Sequence, residues 1–423
     1  MGLRRTFGRA LGAVALGGLI LRWAYAVWNR HFLVQGDAMT FHQVAQHLAD
    51  GAGFIQPFTV PVQPTAEHPP LWELVLAGAD LAGANGYTTH RLLAGLIGTL
   101  TVVLVGLIGR RVAGDRVGLI AAGIAALSPM LVTADGSLMS ESLYGALVAA
   151  TLLAALALRA APSPGRAALL GALAALAGLT RGEGLGLVVL LGLPLAYLGG
   201  GGWGRRAALA GATLGAFALV LAPWTIRNLT TFERPFPVST NASSVWQGAN
   251  CPETYGGVLI GSWSFRCYLP KVAGEDESQY VARNRDSGLR YLREHRGRLP
   301  RVIVHRLGRG LDVLHVDQSL YLNAAEGRPA GPMRWAIRWS WLVMALAIAG
   351  AVVLRRRGGR GLWILLTPVW LVLAITVATY GDTRFRQGAE PSLAVLAAVS
   401  LEWLWVRLAA RRAAAPPASA PAT

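Results

Sequence analysis

Apolar runs recur along nearly the whole chain, and many of them end in arginines. Inside a bilayer each segment must satisfy its own backbone polar groups, so a chain of such runs folds as a bundle of transmembrane helices. The composition agrees: 53% of the 423 residues are hydrophobic and 14% are charged, at a mean hydropathy of +0.44. These features predict an all-α integral membrane protein, a polytopic helical bundle. The formal charge of +17 would suit nucleic acid, but the arginines cluster at the ends of apolar runs, as the positive-inside rule requires. No nucleic-acid partner is expected. Lys271 is the single lysine, so the basic character is carried by arginine.

The first span, over 11–28, lacks a small-residue cleavage site before Asn29-Arg30-His31, and Trp23, Tyr25 and Trp28 suit an interface. It reads as a retained anchor with a cytoplasmic N-terminus. Further spans over 92–108, 117–134, 143–158, 167–179, 185–198, 207–222, 335–354, 362–378 and 393–408 bring the total to about ten crossings. Arg110-Arg111, Arg159, Arg166, Arg205-Arg206, Arg355-Arg356-Arg357 and Arg411-Arg412 then all fall inside. The expected location is the plasma membrane, multi-pass, with both termini cytoplasmic. The segment 71–84 is apolar too, but it is short and carries Glu73 and Asp80. Counting it as a crossing would reverse every later loop, so it reads as an interfacial helix, with a tilted short crossing as the alternative.

The chain therefore divides into an anchor over 1–28, a first extracytoplasmic loop with interfacial helices over 29–91, and a transmembrane bundle over 92–225. An extracytoplasmic insertion over 226–334, C-terminal transmembrane helices over 335–408 and a disordered cytoplasmic tail over 409–423 follow. The insertion holds both cysteines, Cys251 and Cys267, on the oxidising side. A disulfide is expected there, with free thiols as the alternative. Within 280–316, apolar residues at helical spacing alternate with arginines. That pattern predicts one or two amphipathic helices broken at Pro300, with arginines facing lipid phosphates, or else a soluble helical cap.

With this topology the remaining polar groups gather on the outer face: Asp37, Glu67, His68, Asp135, Glu141, Arg181, Glu183, Arg227, Asn228, Asp382, Arg384 and Arg386. A shared polar cleft is the economical arrangement. Asp37 and Glu67 stand out as two carboxylates on one membrane face. The histidines show no metal-ligand spacing, and no metal site or other cofactor is expected.

Gly36-Asp37, the run over 38–50, Glu67-His68-Pro69-Pro70-Leu71, Leu179-Thr-Arg-Gly-Glu-Gly184, Pro223-Trp-Thr-Ile-Arg-Asn228 and Arg384-Phe-Arg386 occur in a telling order. Together they resemble the GT-C membrane glycosyltransferases, above all the bacterial relatives of the protein O-mannosyltransferases and the lipid A aminoarabinose transferases. The resemblance implies a helical bundle of GT-C type and a sugar donor carried on polyprenyl phosphate. It also implies an extracytoplasmic protein, glycan or lipid acceptor and transfer with inversion. Asp37 matches the family's first-loop acid, the candidate base for the acceptor proton. Glu67 matches the acid before Pro-Pro and would orient the acceptor or share the base role, since two carboxylates brought together raise one pKa and the pair would hold a proton near neutrality.

Arg181, Arg227, Arg384 and Arg386 are the candidates for the donor phosphate, since guanidinium forks match phosphate oxygens. His68 is a further candidate, although the aminoarabinose transferases tend to carry lysine there and at the position of Arg181. Glu141, Glu183 and Asn228 would support the site.

Structural roles compete with each of these. Asp37 caps the helix after it, Glu67 pairs with an arginine, Arg181 pairs only with Glu183, and Arg227, Arg384 or Arg386 anchors lipid headgroups. Trp246, Tyr255, Trp263 and Tyr268 either stack on sugars or pack the insertion. Asn228-Leu-Thr and Asn241-Ala-Ser match glycosylation sequons. A secondary transporter or flippase of lipid-linked sugars is the competing function, but no internal repeat is visible and the ionisable groups gather at one face rather than at the midplane.

Overall fold

The computed structural model describes residues 2–32, 34–359 and 361–414. Among them there is no β-strand, and the architecture is helical throughout. Among the described residues, six helices are long and apolar enough to cross a membrane: Thr6–His31, Tyr87–Ala113, Glu141–Ala160, Trp203–Thr231, Ala330–Arg356 and Glu390–Arg412. A seventh candidate is the pair Asp115–Leu127 and Pro129–Asp135, bent by 54°. Its break lies at Ser128-Pro129, where Ser128 Oγ accepts from Leu131 N and the proline at the first position removes a donor. Three shorter apolar helices, Pro164–Gly178, Gly182–Leu198 and Leu362–Ala378, complete the bundle. All ten expected spans are helical, but only six reach spanning length unbroken. The protein is a multi-pass membrane protein.

Several boundaries differ from the sequence expectation. The helix Trp203–Thr231 carries on through Pro223 and so enters the expected insertion. The last helix runs on to Ala414, so the start of the expected disordered tail is helical, while 415–423 lies outside the described residues. The main apolar core runs between the long helices, drawing on Val105, Ala125, Leu152, Leu170, Val343 and Val395.

One charge pair crosses this core. Arg22 is buried in the first helix and donates to Asp135 Oδ2 at 2.7 Å, with carbonyls of Gly18, Ala125 and Ala126 taking its other hydrogens. Gly98 makes room for it, because any Cβ there would occupy the Asp135 carboxylate position. Asp135 therefore serves helix packing and does not join the expected cleft.

Before the second long helix, Asp37–Ala49 and the 11-residue Leu71–Leu81 form a separate layer. Phe41, Ala45, Trp72 and Leu76 bury each other, and Trp72 Nε1 donates to the Leu138 carbonyl. With only 11 residues, Leu71–Leu81 falls well short of a crossing. His42 meets His90, and His90 meets Asp80 at 2.8 Å, tying this layer to Tyr87–Ala113.

The insertion is mostly short helices: Asn241–Ala249, Glu277–Glu294, Leu299–Gly310 and Val316–Ala325. Pro300 sits in the first turn of Leu299–Gly310, as the break predicted. Two of its arginines depart from the expected lipid-facing role. Arg306 and Arg309 are buried, and their guanidiniums donate to the carbonyls of Ala249 and Val377 and of Ile260 and Val258 respectively. Cys251 and Cys267 are joined by a disulfide. Tyr255 packs with Ile260 and Val302 as core, while Trp263 packs against Phe265, Tyr268 and Tyr380.

Candidate active site

Asp37 opens its helix after Gly36, whose φ of +56° favours glycine. The cap position is held by Gly36, not Asp37. The Asp37 side chain reaches across the molecule, with Oδ2 accepting from Arg384 Nη1 at 2.9 Å and Oδ1 lying 3.8 Å from His68 Nε2. Arg384 belongs to the short Thr383–Gly388 turn after Leu362–Ala378, which Asp382 caps by accepting from Arg384 N.

Arg384 is the hub. Nε donates to Glu141 Oε1 at 2.8 Å and Nη1 also donates to Glu326 Oε1 at 2.8 Å. Arg181 reaches the same Glu141 oxygen at 2.8 Å and Glu183 at 2.6 Å, and Arg328 Nη2 stands 3.7 Å from that oxygen. Six segments distant in sequence thus bring Asp37, His68, Glu141, Arg181, Glu183, Glu326, Arg328 and Arg384 into one cluster. Burial works to raise the Asp37 carboxyl, but Arg384 and His68 outweigh it against the push of Glu141. The group is held below the usual carboxylate range and is ionised at neutral pH. The Asp37 side chain is 29% exposed, so it stays reachable.

Several polar atoms in this cluster have no hydrogen-bond partner. His68 Nε2, Glu141 Oε2, and Nε and Nη2 of Arg328 are buried without a hydrogen bond. Buried orphans of this kind are costly unless a ligand or water meets them. Among the described residues, no three or more His, Cys, Asp or Glu are arranged to hold a metal ion.

Residues 67–226 match the sequence profile of the family described as Dolichyl-phosphate-mannose-protein mannosyltransferase. No curated protein matches the chain significantly in sequence. Among solved structures, the oligosaccharyltransferase of Archaeoglobus fulgidus in its apo form superposes on 96% of this chain with a TM-score of 0.58 at 15% identity, covering 51% of its own length. The chain has the GT-C fold. It spans about half the length of that archaeal enzyme. The same holds for the archaeal oligosaccharyltransferase AglB solved with an inhibitory peptide and a dolichol-phosphate, at 14% identity, a TM-score of 0.56, and coverage of 99% of this chain and 53% of that one. ArnT from Cupriavidus metallidurans bound to undecaprenyl phosphate aligns over 92% of this chain and 77% of its own at 18% identity, but with a TM-score of 0.41 it carries no argument.

Within the GT-C fold the remaining expected site residues lie apart from the cluster. Glu67 accepts from Gln56 Nε2 at 3.0 Å and faces Glu73 and Glu277, not Asp37. The two carboxylates therefore do not share a proton; His68, next in sequence, turns to Asp37 while Glu67 turns away. Burial, with Glu67 and Glu277 adding to it, pushes the Glu73 carboxyl well above its ordinary value.

Arg227 donates to the carbonyls of Thr65 and Phe54 and lies against the Trp224 ring, so its fork is committed to backbone. Asn228 is fully buried between Arg227 and the Val238 carbonyl, which removes it both as a site residue and as a glycan acceptor. Arg386 pairs with Asp312 at 3.0 Å and lies 3.5 Å from Glu390, a buried structural group rather than a phosphate ligand.

Two members of the cluster escaped the sequence reading. Glu326 and Arg328 follow the helix Val316–Ala325 in a stretch with no recognisable motif. The only signal was a pair of charges just before the apolar run that begins near 335.

Proposed function

We propose that this protein is a glycosyltransferase that moves a sugar from a polyprenyl-phosphate donor to an extracytoplasmic hydroxyl or amine. The observation that carries the reading is the Asp37–Arg384 contact, an ionised and reachable carboxylate set beside three clustered arginines. The match over 67–226 supports a phosphate-linked sugar donor, because the family description names one.

In the reaction Asp37 accepts the acceptor proton as its oxygen or nitrogen attacks the sugar carbon. The bond from that carbon to the phosphate oxygen breaks, and its electron pair leaves with the phosphate. Charge growing on the phosphate is met by Arg384, Arg328 and Arg181, with His68 as a further hydrogen-bond partner. Nε and Nη2 of Arg328 and Nε2 of His68, which make no hydrogen bond within the protein, are the atoms available to take phosphate oxygens. Attack opposite the leaving phosphate inverts the sugar carbon, since Asp37 acts as base and not as nucleophile. Mannose, arabinose or another pentose all suit this chemistry, as do protein, glycan and lipid acceptors. The active site faces the extracytoplasmic side in this reading, with the arginine-rich loops inside.

The test is release of free polyprenyl phosphate from a labelled donor in proteoliposomes. Wild type turns over and Asp37→Asn loses turnover by about 10²-fold or more. Unchanged turnover in the variant overturns the assignment of Asp37. Translocation of intact donor without cleavage would show a flippase instead.

A further inference from the structure

Asp37 and Glu326 accept from the same nitrogen, Arg384 Nη1, at 2.9 and 2.8 Å. Their carboxylates therefore lie side by side, one from the first loop and one from the end of Val316–Ala325. Asp37 is held by Arg384 and His68 in a way that favours its ionised form. A base so held takes a proton in passing but does not keep it.

Glu326 is in the opposite condition. The groups that face it are Arg384 and Asp382 from the turn after Leu362–Ala378, Tyr380 just before that turn, Arg328 on its own segment, and Asp37 from the first loop. Glu141 adds a further negative charge across Arg384. Two cations thus stand against three acids at this spot, and the side chain is only 20% exposed. We propose that Glu326 is the proton acceptor that finishes the transfer, receiving from Asp37 the proton taken off the acceptor and then releasing it to solvent.

The inference rests on the glycosyltransferase reading. Atoms balance as follows: the acceptor's O–H or N–H bond breaks, its electron pair forms the bond to the sugar, the sugar–phosphate electron pair leaves with the phosphate, and the proton passes through Asp37 to Glu326. Burial pushes Glu326 up, Arg384 opposes it, Asp382 reinforces it, and the carboxyl stands at about 7. Two neighbouring acids driven apart in this way divide the labour of abstraction and retention. Arg384 is the element that makes the division, since it holds both.

The experiment is the pH dependence of kcat and KM for polyprenyl-phosphate release by the full-length protein, in wild type, Glu326→Gln and Glu326→Asp. Wild-type kcat is expected to rise with pH through a limb near 7, where Glu326 loses its proton. Glu326→Gln is expected to lose that limb and about 10²-fold in kcat above it, with KM unchanged. Glu326→Asp is expected to keep a limb at reduced kcat. A limb that persists in Glu326→Gln, or a change confined to KM, shows a structural role and overturns the inference while leaving the transferase reading intact. Should Glu326→Gln not fold, a wild-type profile without a limb near 7 overturns it as well. No turnover by wild type with any lipid-phosphate sugar overturns both readings.

Discussion

Arg384 Nη1 donates to Asp37 Oδ2 at 2.9 Å, closing a contact between residues 347 positions apart. The arginine is 9% exposed and also holds Glu141 and Glu326, so it bridges three carboxylates at once. Arg384→Ala is expected to strip Glu326 and Asp37 of their guanidinium and leave Glu141 to Arg181 and Arg328, lowering stability by about 3–5 kcal/mol, the usual cost of breaking a buried ion pair on one side. Arg384→Lys keeps the charge but cannot reach Glu141 and Nη1's two acceptors in one plane. It is expected to recover part of the stability and little of the turnover. Thermal melting in detergent together with the polyprenyl-phosphate release assay checks both outcomes.

How much of this was legible in the chain depends on what each residue's neighbours are. Asp37, Glu141, Arg181 and Arg384 sit at the ends of apolar runs, where charge is conspicuous, and the fold brings these four together. Arg227 and Arg386 occupy similar positions, yet one is spent on carbonyls and the other on Asp312. Charge and position alone do not tell a free guanidinium from one closed by the backbone. Glu67 and His68 are adjacent in sequence but turn to different neighbours, which is set by the contacts Glu277 makes with Thr65 and Ala66 rather than by the motif. Glu326 and Arg328 lie in a polar segment where two more charges attract no notice.

The raised proton affinity of Glu326 has a consequence for stability that does not depend on activity. Its folded value is about 7 against an ordinary 4.5, so the folded state binds that proton more tightly than the unfolded chain does. The group's contribution to stability is full below about pH 4.5 and is lost as pH rises through about 7. Wild type is expected to show a falling melting temperature across that window, and Glu326→Gln a flatter one. Equal slopes in the two proteins would place the proton elsewhere.

Cys251 and Cys267 are 16 positions apart and close the loop that carries Trp263 against Tyr380. A cross-link over a loop of this size is worth about 3 kcal/mol by the chain-entropy account. Cys251→Ser with Cys267→Ser is expected to loosen the insertion first, because the transmembrane core does not depend on it. Hydrogen exchange is expected to rise in Asn241–Ala249 and the segment after it, with the long helices unchanged.

Arg22 and Asp135 carry the last prediction, since they are a buried pair away from the active-site cluster. Both side chains are almost without exposure and 2.7 Å apart, and the arginine's other hydrogens go to three carbonyls. Removing one partner leaves the other charged and unpaired in a medium that cannot solvate it, at a cost of about 3–5 kcal/mol. Removing both leaves a cavity but no charge. Arg22→Ala and Asp135→Ala are each expected to be more damaging than an additive view of Arg22→Ala/Asp135→Ala allows, with the double variant close to either single one. Melting temperatures of the three variants in one detergent measure the coupling. An additive double variant would mean that the pair contributes through packing rather than through its charges.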